Sequence, residues 1–206
     1  APPASLAIPI IYRDFRGRDL AATGSLPAGH PDFEAEQATE TGIVGTMLGA
    51  DKKPVYAKTG GSTTTHGAVA FNKWYNDTPN ENVSISDTLP LTRQVDGSYV
   101  FDSSAFFPLD TRGWRDPARL NEPLRAARND ANQPVGDHNF HFTSERRYWF
   151  EYMGGERLDF RGDDDVWVFV DGKLVIDIGG IHNVVEQSIE LDRLTWLEDG
   201  ETYKLQ

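Results

Sequence analysis

Along most of this chain apolar residues recur at every second position, the period of a half-buried β-strand rather than of a helix. The alternation predicts strands over Ile8–Arg13, Val55–Lys58, Val83–Leu91, Ser98–Asp102 and Phe140–Thr143. It predicts five more over Tyr148–Tyr152, Arg157–Phe160, Val166–Val170, Leu174–Ile178 and Ser188–Leu191. Asp96-Gly97, Asp171-Gly172 and Gly154-Gly155 punctuate them as turns. Helical spacing is confined to His30–Gln37 and to Ala68–Asn76, where Phe71, Trp74 and Tyr75 share one side. Residues 21–45 and 111–137 read as long loops. Many short strands with little helix predict an all-β antiparallel sandwich. The expectation is one domain over 1–206, with 1–10 as an N-terminal extension and 111–137 as a loop insertion.

The densest apolar run lies in RGDDDVWVFVDGKLVID, residues 161–177. A two-residue Asp171-Gly172 loop would pair Val170 with Lys173, Val168 with Val175 and Val166 with Asp177. One face then carries Val166, Val168, Val170 and Val175; the other carries Trp167, Phe169, Leu174, Ile176 and Ile178. Both faces are apolar, so the hairpin is expected to be covered on both sides. Continuing the pairing outward brings Asp163 and Asp164 beside Gly179-Gly180, with His182 and Asn183 just beyond. Adjacent Cα atoms stand about 3.8 Å apart, so neighbouring carboxylates repel one another. A hard divalent cation removes that repulsion, and calcium, with roughly six to eight irregular oxygen ligands, suits it better than magnesium. A solvated acidic loop is the other reading, and the residues alone leave both open.

Charge and composition narrow the partners. The formal net charge is -12, which repels a polyphosphate and disfavours nucleic acid. The absence of cysteine excludes disulfides, thiolate metal sites and a Cys nucleophile. No stretch approaches the roughly 20 apolar residues of a membrane span. The opening APPASLAIPI lacks a charged leader and long apolar run, and reads as a mature amino terminus or a cut boundary. GxSxG, HExxH and a phosphate-cradling Gly loop are missing, and adjacent Asp residues cannot straddle a glycosidic bond. A binder rather than an enzyme is expected. Trp149 and Trp167, inside apolar runs, are expected in the core, leaving Trp114 in the long polar loop as the exposed aromatic for a ligand. Asp177 is expected to bond a nearby backbone or Arg group. His138 and His141, three apart, are expected on opposite faces as structural histidines.

The stretch DFRGDDDVWVFVDGKLVIDIGGIHN, with YRDFRG, HPDFE, AFNKWYND, FFPLD, HNFHFTSE and YWFEYMGGERLDF, resembles the fibro-slime domain. That domain falls within the protective-antigen-type β-sandwich lectin and adhesin superfamily. The resemblance runs from about Tyr12 to the end. It implies a secreted or cell-surface recognition domain in which two successive Asp residues, joined by a cis peptide, coordinate calcium that grips sugar hydroxyls. Placed on this sequence the pair is Asp163-Asp164, with Asp165 beginning the strand; His182, Asn183 and Trp114 complete the candidate ligand contacts. The resemblance also implies a second calcium loop near the carboxyl end. Because Tyr203 and Leu205 only begin an alternation, the final strand is expected from a partner chain or a further segment. The alternative to carbohydrate binding is a structural module of a surface fibre or matrix.

Overall fold

The computed structural model describes residues 2–33, 38–128 and 133–206. In chain order the first strands are β1 (Ser5–Phe15), β2 (Ala38–Thr39), β3 (Asn82–Arg93), β4 (Tyr99–Val100), β5 (Arg125–Arg128), β6 (Pro134–His138) and β7 (Phe142–Arg146). They are followed by β8 (Tyr148–Glu151), β9 (Arg157–Gly162), β10 (Val166–Val170), β11 (Lys173–Ile178), β12 (Gly180–Ile181), β13 (Val185–Glu190) and β14 (Thr202–Leu205). A single-turn helix, α1, spans Ala68–Phe71. Strand makes up 40% and helix 5%, so the class is all-β, antiparallel and sandwich-like. The chain divides into two compact units: Ala1–Phe33 with Asn76–Arg146, and Glu34–Tyr75 with Arg147–Gln206.

The first unit is built on the sheet β4-β3-β1-β7. β1 pairs β3 along its whole length, from Ser5 opposite Thr92 to Phe15 opposite Asn82. Residues 5–10, expected within an N-terminal extension, belong to the sheet, because β1 begins at Ser5 and is paired from there. Two prolines sit inside these strands where each has a partner on one side only. Pro9 lies just before the β1–β7 ladder, which starts at Ile10, and Pro90 lies outside the β3–β4 pairing at Thr92 and Arg93. A missing N–H costs nothing in a ladder that is not formed. Ile10, Tyr12 and Leu109 make the core, with Ile85, Phe106 and Phe142 against it. The stretch 111–137, expected as a loop, carries the β5–β6 hairpin, Arg125 opposite His138.

A buried polar network runs beside that core. Arg13 and Glu145, both about 5% exposed, form an ion pair at 2.9 Å, and Arg13 also reaches Asp77. Asp14 is fully buried; its Oδ1 accepts from Asn139 Nδ2 at 2.8 Å and its Oδ2 from the Trp114 N–H at 2.6 Å. Gly113, at φ 64°, permits this approach: a Cβ there would lie 2.1 Å from Asp14 Oδ2. Burial pushes the Asp14 carboxyl up to about 7, aided by the nearby Glu122 charge and opposed by the two hydrogen bonds. His138 stacks on Phe107 with its ring centroid 3.7 Å away and bonds Asp110, while His141 is buried separately.

The second unit is built on the sheet β11-β10-β14-β8. The β10–β11 hairpin turns at Asp171 and Gly172, both with positive φ, the two-residue geometry that Asp-Gly favours. Trp167 and Phe169 pack with Ile43, Val44, Phe71 and Trp74 on one side; Val170 packs with Tyr152, Leu191 and Leu194 on the other. Both faces are covered, as the apolar run predicts. Phe71, Trp74 and Tyr75 do share a side, although the helix itself is one turn long. Residues 34–37 of the other helical stretch lie outside the described residues. Val55–Lys58 is not a strand: Tyr56 makes only an isolated bridge with Val44.

One register expectation fails. Val170 faces Lys173 and Phe169 faces Leu174, but Val168 then faces Ile176, Trp167 faces Asp177 and Val166 faces Ile178. A β-bulge leaves Val175 as the extra residue and slides the open end of the hairpin by one position. β14 lies between β10 and β8, meeting β10 through Phe169, Val170 and Asp171.

Candidate functional site at the hairpin mouth

The mouth is shaped from the β11 side by two glycines. A Cβ on Gly179 would lie 2.2 Å from the Glu40 carbonyl oxygen, and one on Gly180 2.0 Å from that of Ala38. Only glycine lets β2 and Glu40 come this close, and Glu40 N–H donates to the Gly179 carbonyl at 2.7 Å. The Gly-Gly pair is thus a packing device, and it fixes the backbone N–H groups that face the acidic run.

Those N–H groups hold two of the three carboxylates. Asp165 Oδ1 accepts from Gly180 N–H, and Asp164 Oδ1 accepts from His182 N–H at 3.0 Å. The peptide bond between Asp163 and Asp164 is cis. Asp165 precedes β10, which begins at Val166. Asp163 is exposed and makes no hydrogen bond among the described residues. Desolvation of the carboxyl group by the crowding around it pushes Asp164 up to about 6; the His182 N–H and side chain oppose the rise, and the neighbouring Asp163 charge adds to it. Asp164 as a whole remains exposed, so this crowding carries little stability by itself.

His182 is 9% exposed. Its Nδ1 lies 2.7 Å from the Asn183 carbonyl oxygen, which can only accept, so Nδ1 donates this hydrogen bond. Nε2 is buried without a hydrogen-bond partner. Asn183 is exposed and contributes its carbonyl to this contact. The site therefore gathers Asp163, Asp164, His182 and Asn183 at one place.

Chemically, Asp163 offers two unspent carboxylate oxygens and Asp164 one, all hard donors of the kind calcium takes. Among the described residues no group of three or more His, Cys, Asp or Glu side chains is arranged to hold a metal. The pair fits calcium in kind and supplies part of the roughly six to eight ligands the ion requires. Arg161, next to the pair, is engaged at the surface with Glu186 at 3.0 Å. Asp177 accepts from Gly42 N–H at 2.8 Å and from Trp167 Nε1 at 2.9 Å, so it locks the core edge rather than facing a ligand.

Trp167 is buried, as expected, but the expectations for Trp114 and Trp149 are reversed. Trp114, expected to be the exposed ligand-binding ring, is 8% exposed and sits in the first unit over Asp14. A one-turn 3-10 helix at Gly113–Arg115 carries it inward, a long-range contact that no local periodicity marks. Trp149, expected in the core, is 59% exposed. The missed signal is phase: Trp149 shares its face of β8 with Glu151, whereas Tyr148 and Phe150 point the other way.

No family model matches the chain, and no solved structure matches it. Curated relatives do. Protein psiD of Dictyostelium discoideum is 39% identical over 182 residues, covering 84% of this chain and 34% of psiD. Protein psiR of the same organism is 35% identical over 183 residues, covering 86% of this chain and 18% of psiR. Protein psiJ is 34% identical over 203 residues, covering 90% of this chain and 27% of psiJ. The chain thus spans about a third or less of these relatives' own length.

Proposed function

We propose that this chain is an extracellular, calcium-dependent recognition or adhesion domain that binds cell-surface carbohydrate through Asp163 and Asp164, without catalysis. The supporting observation is the acceptor balance at the mouth. Among the described residues, the two adjacent carboxylates receive one backbone hydrogen bond between them and form no salt bridge; Asp163 stays open to water. A divalent ion there would neutralise the pair and lend its remaining coordination positions to sugar hydroxyls. The protein's own part is to hold Asp164 on the His182 N–H and to keep Asp163 outward. The resemblance to fibro-slime domains supports the same reading.

Calorimetric titration with calcium chloride tests it. The wild-type chain should bind about one ion in the roughly 10⁻⁴–10⁻³ M range of extracellular sites. The Asp163→Asn, Asp164→Asn double variant should give no such heat; equal heats in both proteins would reject the reading. A second reading has one observation in its favour. Among the described residues β14 meets β10 through Phe169–Asp171, short of Val166–Val168, where a further strand could pair. On that reading the domain is a structural module of a surface fibre or matrix, completed by a strand from a partner chain. A glycan array in calcium separates the two, since a folded domain that retains the ion and binds no sugar supports the structural role.

A further inference from the structure

Trp149 stands apart from every other tryptophan in the chain by its surroundings. On edge strand β8 its face also carries Glu151, and the residues directly opposite on β14 are Lys204 and Thr202. Opposite residues of an antiparallel pair share a face, so one indole is framed by an amine, a carboxylate and a hydroxyl. Lys204 Nζ lies over the ring at 5.5 Å from its centroid, and the tryptophan still remains 59% exposed. Phe150 and Tyr203, the next pair along, point to the other face and pack into the core with Val170 and Leu205. The exposed ring is therefore not leftover core.

Size and chemistry identify what it fits. A stable protein interface buries about 1,200–2,000 Å² with an apolar centre, whereas this face offers a single ring among polar neighbours. An exposed indole with an amine over its ring and a carboxylate beside it on the strand matches a pyranose, which has an apolar C–H face and a rim of hydroxyls. The net charge of -12 disfavours polyanionic glycans at long range. We propose that Trp149, with Lys204 and Glu151, forms a stacking subsite for a neutral hexopyranose that needs no metal. The subsite shares the carbohydrate part of the preceding proposal and none of its calcium chemistry. It also lies at the other end of β10 from the Asp pair: the Lys204 carbonyl accepts the Asp171 N–H at the closed end of the hairpin, and Val166–Val170, an extended span of roughly 13 Å, runs from there to the acidic mouth.

The test is titration of the 206-residue chain with cellohexaose, mannohexaose and chitohexaose in EDTA, followed by calorimetry. At least one should bind, with Trp149→Ala weakening it roughly ten-fold and Trp149→Phe only a few-fold. Trp149→Phe keeps an aromatic ring and guards against a folding defect in the alanine variant. Absence of binding to all three sugars in EDTA, or unchanged affinity in both variants, would overturn the subsite. Binding that requires calcium and ignores Trp149 would overturn it too, while leaving the Asp163–Asp164 reading intact. Wild-type protein that sediments as a dimer, with Trp149→Ala monomeric, would make the ring a contact between copies and likewise overturn it.

Discussion

Asp14 in the first unit and Asp164 in the second both have carboxyl groups pushed up, to about 7 and about 6, and in both desolvation of the carboxyl group is the first cause. Their surroundings differ. Asp14 is sealed, and both its oxygens are spent on Asn139 and Trp114. Asp164 spends one oxygen on a backbone N–H and has an exposed, unbonded carboxylate as its chain neighbour. A raised pKa therefore does not mark a ligand site; unspent acceptor capacity open to solvent does. The first carboxylate organises the fold, and the second is free to organise something else.

Substitution should break the pair apart most clearly. Asp14→Ala strands two buried donors and opens a small void, and should cost about 2–5 kcal/mol in urea unfolding. A loss below about 1 kcal/mol would mean Asp14 is not structural. The next effect is a pH slope. The fold raises Asp14 from 3.8 to about 7, so it prefers the protonated form. The Asp14 contribution is present at acid pH and is lost as pH rises through about 7, making stability fall across that window. Wild type minus Asp14→Asn should reveal a decline on the order of a few kcal/mol between these limits, because asparagine cannot ionise. A flat difference would show that Asp14 does not titrate there. The smallest effect belongs to the mouth: Asp163→Asn in EDTA should change stability by no more than about 0.5 kcal/mol. A larger loss would make Asp163 part of the scaffold after all.

Much of the second unit was legible because its strongest strand is purely apolar and its turn has a diagnostic dipeptide. Val166–Val170 and the Asp171-Gly172 loop stand where the pattern puts them. Proximity of Asp164 to residues 180–182 followed from extending that hairpin. The bulge was not legible. Val175, like its neighbours, is apolar, so no polar residue marks the slip. β5 and β6, Arg-Ala-Ala-Arg and Pro-Val-Gly-Asp-His, have too few apolar residues to alternate at all. Trp114 and Trp149 went wrong for opposite reasons. Trp114 is drawn in by a distant carboxylate that local sequence does not announce; Trp149 is turned out by a phase that Glu151 did announce.

The single surplus valine in β11 has a mechanical meaning for the acidic mouth. Because side chains alternate sides with each residue, a strand one position shorter would rotate everything beyond it by half a turn, trading what faces inward for what faces out. Val175 thus acts as a phase shifter. It lets the closed end obey the geometry of the Asp-Gly loop while the open end independently aims Gly180 and His182 at the carboxylates. Deleting that one residue would leave both ends chemically unchanged and out of step with each other.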